Sequence, residues 1–340
     1  MLFCAAVGAI IAMPLSGRWS DRYGSRRVTA ASGTLFGLAL GAATTAPTYA
    51  LMLPAALAMG AGNGAMDVAM NVNGVALQAR AARPIMSSLH GLFSVGTFVA
   101  AAGMAQVVAL QLPQAAAGVA AALFLAAASL ALRPLLIRDK PQRAAASASG
   151  KRPRLSRRLL LLGAAAICGA VAEGSLVQWS GVYLRESLHV DISAALGGFA
   201  AYAVAMSTSR FCGDWVVHRI GPVALVRASG LLGAAGLAVA LVVHTYAAVV
   251  LGFFIAGLGL GNVSPLVYGA GGDDADTAAG AGVAVVTTMG YGGFLIGPAL
   301  IGFTAQRASI DAAFMFIAAF ALGIALLAPA LRTQRPAAVA

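Results

Sequence analysis

Apolar residues run along this chain in stretches of about twenty, the length that crosses a hydrocarbon core of about 30 Å. Short polar or Pro/Gly-containing breaks separate them. Eleven such runs fall at approximately 1–16, 28–46, 48–76, 86–110, 114–136, 159–184, 193–212, 222–243, 245–269, 280–304 and 311–331. Unpaired backbone groups are costly in lipid, so a spanning segment is a helix or belongs to a closed barrel, and continuous apolar runs of this length predict helices rather than alternating strands. The expected fold is an all-α membrane bundle.

Polar positions are unevenly shared among the runs. Those at 114–132 and 312–331 hold essentially Ala, Leu, Val, Ile, Phe and Gly, and 222–243 is nearly as plain, so these can face lipid. The runs beginning at 48, 86, 159, 193, 245 and 280 carry the intramembrane polar groups and need an interior. In the third run Asn63, Asp67 and Asn71 are spaced i, i+4, i+8 and share one helical stripe, with Gly60, Gly64 and Gly74 beside it. A charged Asp at the centre of a spanning helix costs about 2.5–3.5 kcal/mol, and this run offers no Lys or Arg to pair with it. The neutral acid is the cheaper state. Asp67 is therefore either a group that binds and releases a proton as water access changes, or a structural carboxyl held by Asn63, Asn71 or a partner helix.

The fourth run places Ser87, His90, Ser94 and Thr97 on one face, where His90 could relay protons, donate to a substrate oxygen or simply pack. The sixth carries a second lone acid, Glu173, followed by Gln178, Trp179 and Tyr183; the aromatics suit either a cavity or an interfacial belt. Later, Asn262, Pro265 and Tyr268 share a face, and Tyr291 stands among Gly290, Gly293 and Gly297, glycines whose expected job is packing. No Arg or Lys is read as lying deep in any run, Arg210 being placed at a cytoplasmic end, so a neutral polar or weakly amphipathic solute is expected over a strongly anionic one.

Composition and charge add orientation. Sixty per cent of the 340 residues are hydrophobic and 10% are charged, against about 25% charged in soluble domains. The net charge of +11 would suit nucleic acid, but 20 of the 22 basic residues lie in alternate breaks, so the charge reads as positive-inside topology, with the C-terminus cytoplasmic and no nucleic-acid partner. Cys4, Cys168 and Cys212 lie in apolar runs at no metal-like spacing and are expected to be buried small hydrophobes. Neither a cofactor nor a metal is called for. Met1 opens directly into apolar sequence, which leads us to expect a missing preceding span.

The polar segment 137–158 reads as a basic cytoplasmic linker between transmembrane halves 1–136 and 159–331, with a cytoplasmic tail at 332–340. Shifting the chain by 197 residues superposes Arg22 on Arg219, Gly24 on Gly221, Gly60, Gly62 and Gly64 on Gly257, Gly259 and Gly261, and Gly96 on Gly293. One offset shared across three helices indicates duplication, the plan of many secondary transporters. No phosphate-binding loop of the Walker type is present in the sequence, so ATP-driven pumping is not encoded. Ser87, Ser88, His90 and Asp67 are nucleophile-like types without a Gly-x-Ser-x-Gly elbow, and enzymatic activity is not expected.

At residues 17–27, "GRWSDRYGSRR", the chain resembles the major facilitator superfamily through Gly17, Asp21, Arg22, Gly24, Arg26 and Arg27. The resemblance implies a cytoplasmic latch whose charge pairs break as two halves rock. In the second copy Arg219 and Gly221 persist, but His218 stands where Asp21 would be and Asp214 is offset. The segments "AMDVAMN", "PIMSSLHGLFSVG", "EGSLVQWSGVYL", "GLGLGNVSPLVY" and "GYGGFLIGPALIGF" are similar to the fucose-permease-like bacterial branch. That similarity implies proton-coupled, sugar-like transport with Asp67 carrying the proton; from their residue types, Glu173 or His90 is expected to assist. The similarity also puts Asn71 in the cavity, to which the polar positions read above add Asn63, Ser94, Gln178, Trp179, Tyr183, Asn262, Tyr268 and Tyr291 as expected lining. A monomer working by alternating access in a bacterial cytoplasmic membrane is expected, with small solute, protons and lipid as its partners. The rivals are a drug or metabolite exporter on the same frame, and a non-transporting sensor or relic.

Overall fold

The computed structural model describes residues 1–139 and 155–332. Among these, twelve α-helices follow one another: α1 (Leu2–Tyr23), α2 (Ser25–Thr45), α3 (Tyr49–Ala81), α4 (Met86–Ala109), α5 (Gln114–Ala131), α6 (Arg157–Leu188), α7 (Ile192–Ile220), α8 (Pro222–Val243), α9 (Tyr246–Leu260), α10 (Val263–Gly272), α11 (Ala279–Arg307) and α12 (Ile310–Leu327). No strand occurs among the described residues. Helices α9 and α10 form one apolar span, Tyr246–Gly272, interrupted at Gly261 and Asn262. Ten spans are long and apolar enough to cross a membrane. The 33-residue α3 is not one of them, because its asparagines, Asp67 and glycines lower its hydropathy. Most of the expected linker, 140–154, and residues 333–340 of the expected tail lie outside the described residues.

Lipid accounts for the exposed surface. Val242 and Leu326 are 82% and 81% exposed, which water would penalise and acyl chains do not. Helix α5 buries only Ala122 and Ala126. Helices α8 and α12 face lipid on one side only: α12 also buries Ala313, Phe314, Ile317, Ala321 and Ile324, one stripe at helical spacing. Cys212 is also exposed rather than buried, since it shares the outward face of α7 with Phe211 and Trp215.

Two compact units form. Of the described residues the first takes 1–82, 95–139, 155–156 and 271–288, and the second takes 83–94, 157–270 and 289–332. Each is held by glycine seams, and the seams repeat at the offset of 197. In the first unit a Cβ on Gly60 would run into the carbonyl of Ala5, one on Gly62 into the backbone of Ser32 and Phe36, and one on Gly64 into Ala9. In the second, Gly257 meets Tyr202, Gly259 meets Ser229 and Gly233, and Gly261 meets Met206. Every partner keeps the same offset as its glycine. Close backbone approach of this kind is how helices pack in lipid, where apolar burial alone gives no preference. Gly60→Val is expected to cost about 1–3 kcal/mol or more by forcing α1 from α3. Gly96, with nothing within 4 Å of a built Cβ, should accept alanine within about 0.5 kcal/mol. Unfolding in detergent compares the two.

Between helices, Gly24 (φ 86°) and Gly221 (φ 80°) adopt the left-handed region in which a side chain is strained, so both turns need glycine. Outside the spans, Asp191 caps α7. It accepts from the Ala194 N–H and the Ser193 hydroxyl, both at 2.8 Å. These bonds, the Ala194 one foremost, hold its carboxyl below the usual range. Its stabilising effect is therefore present above the ordinary carboxylate pKa and is lost as pH falls through the lowered value.

Candidate functional site

In the first unit α3 presents the stripe expected of it. Asp67 is half-buried, and Asn71, two turns beyond Asn63, donates from Nδ2 to Asp67 Oδ1 at 3.1 Å and to the Asp67 carbonyl at 2.9 Å. Among the described residues no Lys or Arg ion-pairs with Asp67. Asn73 does different work: it donates to Ser25 Oγ at 2.8 Å and to the Ile137 carbonyl at 3.0 Å, tying α3 to α2 and to the chain beyond α5. Asn63 is half-buried.

The second unit overturns one reading of the sequence. Arg210 does not sit at a helix end. It lies ten residues inside α7, buried, with Nη2 at 3.0 Å from Glu173 Oε1 of α6. Its Nη1 donates to Ser94 Oγ at 2.9 Å and its Nε to the Gly261 carbonyl at 3.1 Å. That carbonyl is open for a local reason. Residue 265, four positions on, is proline and has no N–H to return. The lone acid of the sixth run is therefore paired, and a cation does lie deep in this unit.

Around the pair, the His90 ring lies 6.0 Å from the Tyr268 ring. His90 is within electrostatic reach of Arg210, and Tyr202 within reach of both charges. Ser94 is buried, Gln178 exposed, and Trp179 half-buried against Gly302. Tyr291 packs edge-on against Phe294. Two residues expected to line a cavity are instead structural. Tyr183 is fully buried, its ring tilted against Phe314 (4.3 Å) and edge-on to Phe253 (6.0 Å), an aromatic geometry that adds to the burial of area. Asn262 donates to the Ser209 carbonyl and hydroxyl at 2.9 and 2.8 Å, patching the interruption between α9 and α10.

The candidate latch residues occupy helix ends. Asp21 accepts from the N–H groups of Gly280 and Ala281 at 2.8 and 3.0 Å, at the start of α11. Asp214 accepts from those of Ser87 and Ser88 at 3.0 and 2.8 Å, at the start of α4. Each carboxylate thus meets the positive end of a helix dipole. Gly17, one turn before Asp21, has no room for a Cβ against Gly280, and Gly213 has none against Asn262 and Ser87; both let the acids come close. The two acids are related by 193 residues rather than 197, four fewer and so about one helical turn. Asp214 thus makes the same kind of cap from a shifted position, while His218 is exposed. Arg22 and Arg27 are exposed, Arg26 is half-buried, and Arg22 and Arg219 lie over the rings of Tyr23 and Trp215 at 5.2 and 5.4 Å. Sequence reasoning missed Asp139, whose carboxylate accepts from the Ser25 N–H at 2.8 Å and so caps α2. Removing Asp21 or Asp214 by alanine is expected to cost about 0.5–2 kcal/mol each. Amide exchange should rise at 280 and 281 in the first variant and at 87 and 88 in the second.

Long helices in two internally repeated sets, with ten spans apolar enough to cross a membrane, define a multi-pass membrane protein of transporter type. The chain belongs to the Major Facilitator Superfamily, whose family model matches residues 1–294. It is 34% identical over 331 residues to an uncharacterized MFS-type transporter of Yersinia pestis, covering 97% of this chain and 85% of that one. Its fold is similar to that of the E. coli fucose:proton symporter FucP, at TM-score 0.75 and 19% identity over 97% of this chain and 90% of that one. It is similar also to the human organic anion transporter MFSD10, at TM-score 0.77 and 17% identity over 95% and 83%.

Proposed function

We propose that the protein is a proton-coupled secondary transporter of a small polar solute, acting as a monomer by alternating access in a bacterial cytoplasmic membrane. The one-sided basic residues support a cytoplasmic C-terminus. The observation that carries the reading is Asp67: a half-buried carboxyl in the middle of the 33-residue α3 whose only described hydrogen-bond partner is the neutral Asn71. Such a group changes its interaction with the protein most when it gains or loses a proton, which is what coupling requires, because protonation biases access only if the two orientations differ in affinity for the proton. The likeness in fold to a fucose:proton symporter supports the same class of activity. The capped starts of α11 and α4 support a latch in which Asp21 and Asp214 are released and recaptured as access alternates.

The test is uptake by the reconstituted protein under an imposed acid-outside gradient, across a small panel of sugars and amphipathic drugs. Accumulation inside the vesicles supports symport. Gradient-driven loss from preloaded vesicles supports the exporter reading, and no gradient response with any solute overturns coupling.

A further inference from the structure

We infer that Arg210 is a recognition point for a substrate carboxylate, with Glu173 the internal carboxylate that holds its place when no substrate is bound; this rests on the transporter reading above.

The two partners are held unequally. Arg210 is fixed by neutral acceptors on two other elements, Ser94 Oγ of α4 and the Gly261 carbonyl between α9 and α10. It needs no acid to keep its position. Glu173 is held by a single hydrogen bond on one oxygen, and its side chain is 14% exposed against 6% for the arginine. The guanidinium is thus a preorganised fork and the carboxylate a replaceable occupant. Ion pairs of this kind give little net stability over apolar packing, so stability alone does not explain placing one inside a membrane protein.

Exchange chemistry follows from the balance of charge. A neutral sugar that displaced Glu173 would leave a buried guanidinium unpaired. A carboxylate restores the pair it breaks. The displaced Glu173 takes one proton from the water that brings the ligand in, so the site ends as it began, with one guanidinium and one carboxylate, and one proton accompanies one anion. The other groups that face the pair are few. His90 of α4 and Tyr202 of α7 are within electrostatic reach, and the ring of Tyr268 of α10 lies tilted 6.0 Å from that of His90. Among the helices packed on α6, α9 carries no charged residue and α12 only Asp311, which Ser187 engages at 3.2 Å. The hydroxyl of Ser94 and the imidazole of His90 suit a ligand that also carries hydroxyls.

Calorimetric titration of the detergent-purified full chain with sodium lactate, gluconate and benzoate, each beside a neutral analogue, tests this. In the parent, a carboxylate should bind more tightly as the medium is acidified. E173Q removes the competing charge and should bind about tenfold tighter at neutral pH, with the pH response gone. R210K keeps the charge but loses the fork, and should bind about tenfold more weakly. Should R210K fail to fold, E173Q still decides. Equal affinity of E173Q and parent, no carboxylate binding to either, or neutral analogues binding as well as the acids overturns the inference. Gradient-driven uptake of a neutral solute without carboxylate binding would leave the transporter reading standing and sink this one; carboxylate binding without any transport would do the reverse.

Discussion

Asp67→Asn is expected to abolish accumulation driven by a proton gradient while leaving exchange of solute across the membrane intact. Asparagine keeps the shape of the side chain and can still engage Asn71, which donates to Asp67 Oδ1, but it has no titrating proton. The helix should therefore pack as before, and the glycine seams of α3 at Gly60, Gly62 and Gly64 are untouched. What disappears is the Asp67 link between proton and solute, which for coupled sites amounts to about 1–3 kcal/mol, or about 5–150-fold in the affinity of one for the other. Uptake with and without an imposed gradient, beside counterflow in preloaded vesicles, separates the two effects. Accumulation unchanged in the variant would remove Asp67 from the mechanism.

Breaking the buried pair of the second unit is expected to be the costliest single change for stability. Glu173→Ala leaves the Arg210 guanidinium buried with two neutral acceptors and no counter-charge, a loss of about 3–5 kcal/mol. Glu173→Gln keeps an acceptor at the same place and should cost markedly less. Arg210→Met strands both the Glu173 carboxylate and the Gly261 carbonyl that Pro265 leaves without a helical donor. The double change Glu173→Leu with Arg210→Met removes both charges together and should recover much of the loss of either, since paired charges often add little over apolar packing. Denaturant unfolding of the parent, Glu173→Leu, Arg210→Met and the double variant in the same detergent measures the cycle.

Much of the architecture was legible because lipid imposes a simple code. Run length marked the helices, and identical glycines at one offset marked the seams that repeat in both units. The stripe of Asn63, Asp67 and Asn71 was legible for the same reason, since all three belong to one helix. The charge network was not. Arg210 was placed at a helix end because hydropathy fades after residue 212, whereas α7 continues to Ile220. Its partner Glu173 stands 37 positions earlier on another helix, and periodicity along one helix carries no information about pairing between two. One local signal could have pointed there: Pro265 predicts an open carbonyl at Gly261, and an open carbonyl in lipid demands a donor. Asp214 was legible as an acid but not as a cap, because the register of 197 sets His218 opposite Asp21, and only the one-turn shift brings Asp214 to the start of α4.

The register of 197 also sets Met13, fully buried, in the place of Arg210. A tandem gene carrying two copies of the first half would regenerate the seams of Gly60, Gly62 and Gly64 and still put a thioether where the guanidinium belongs. Those seams are what the doubled chain holds in common; the buried pair of guanidinium and carboxylate belongs to one copy alone.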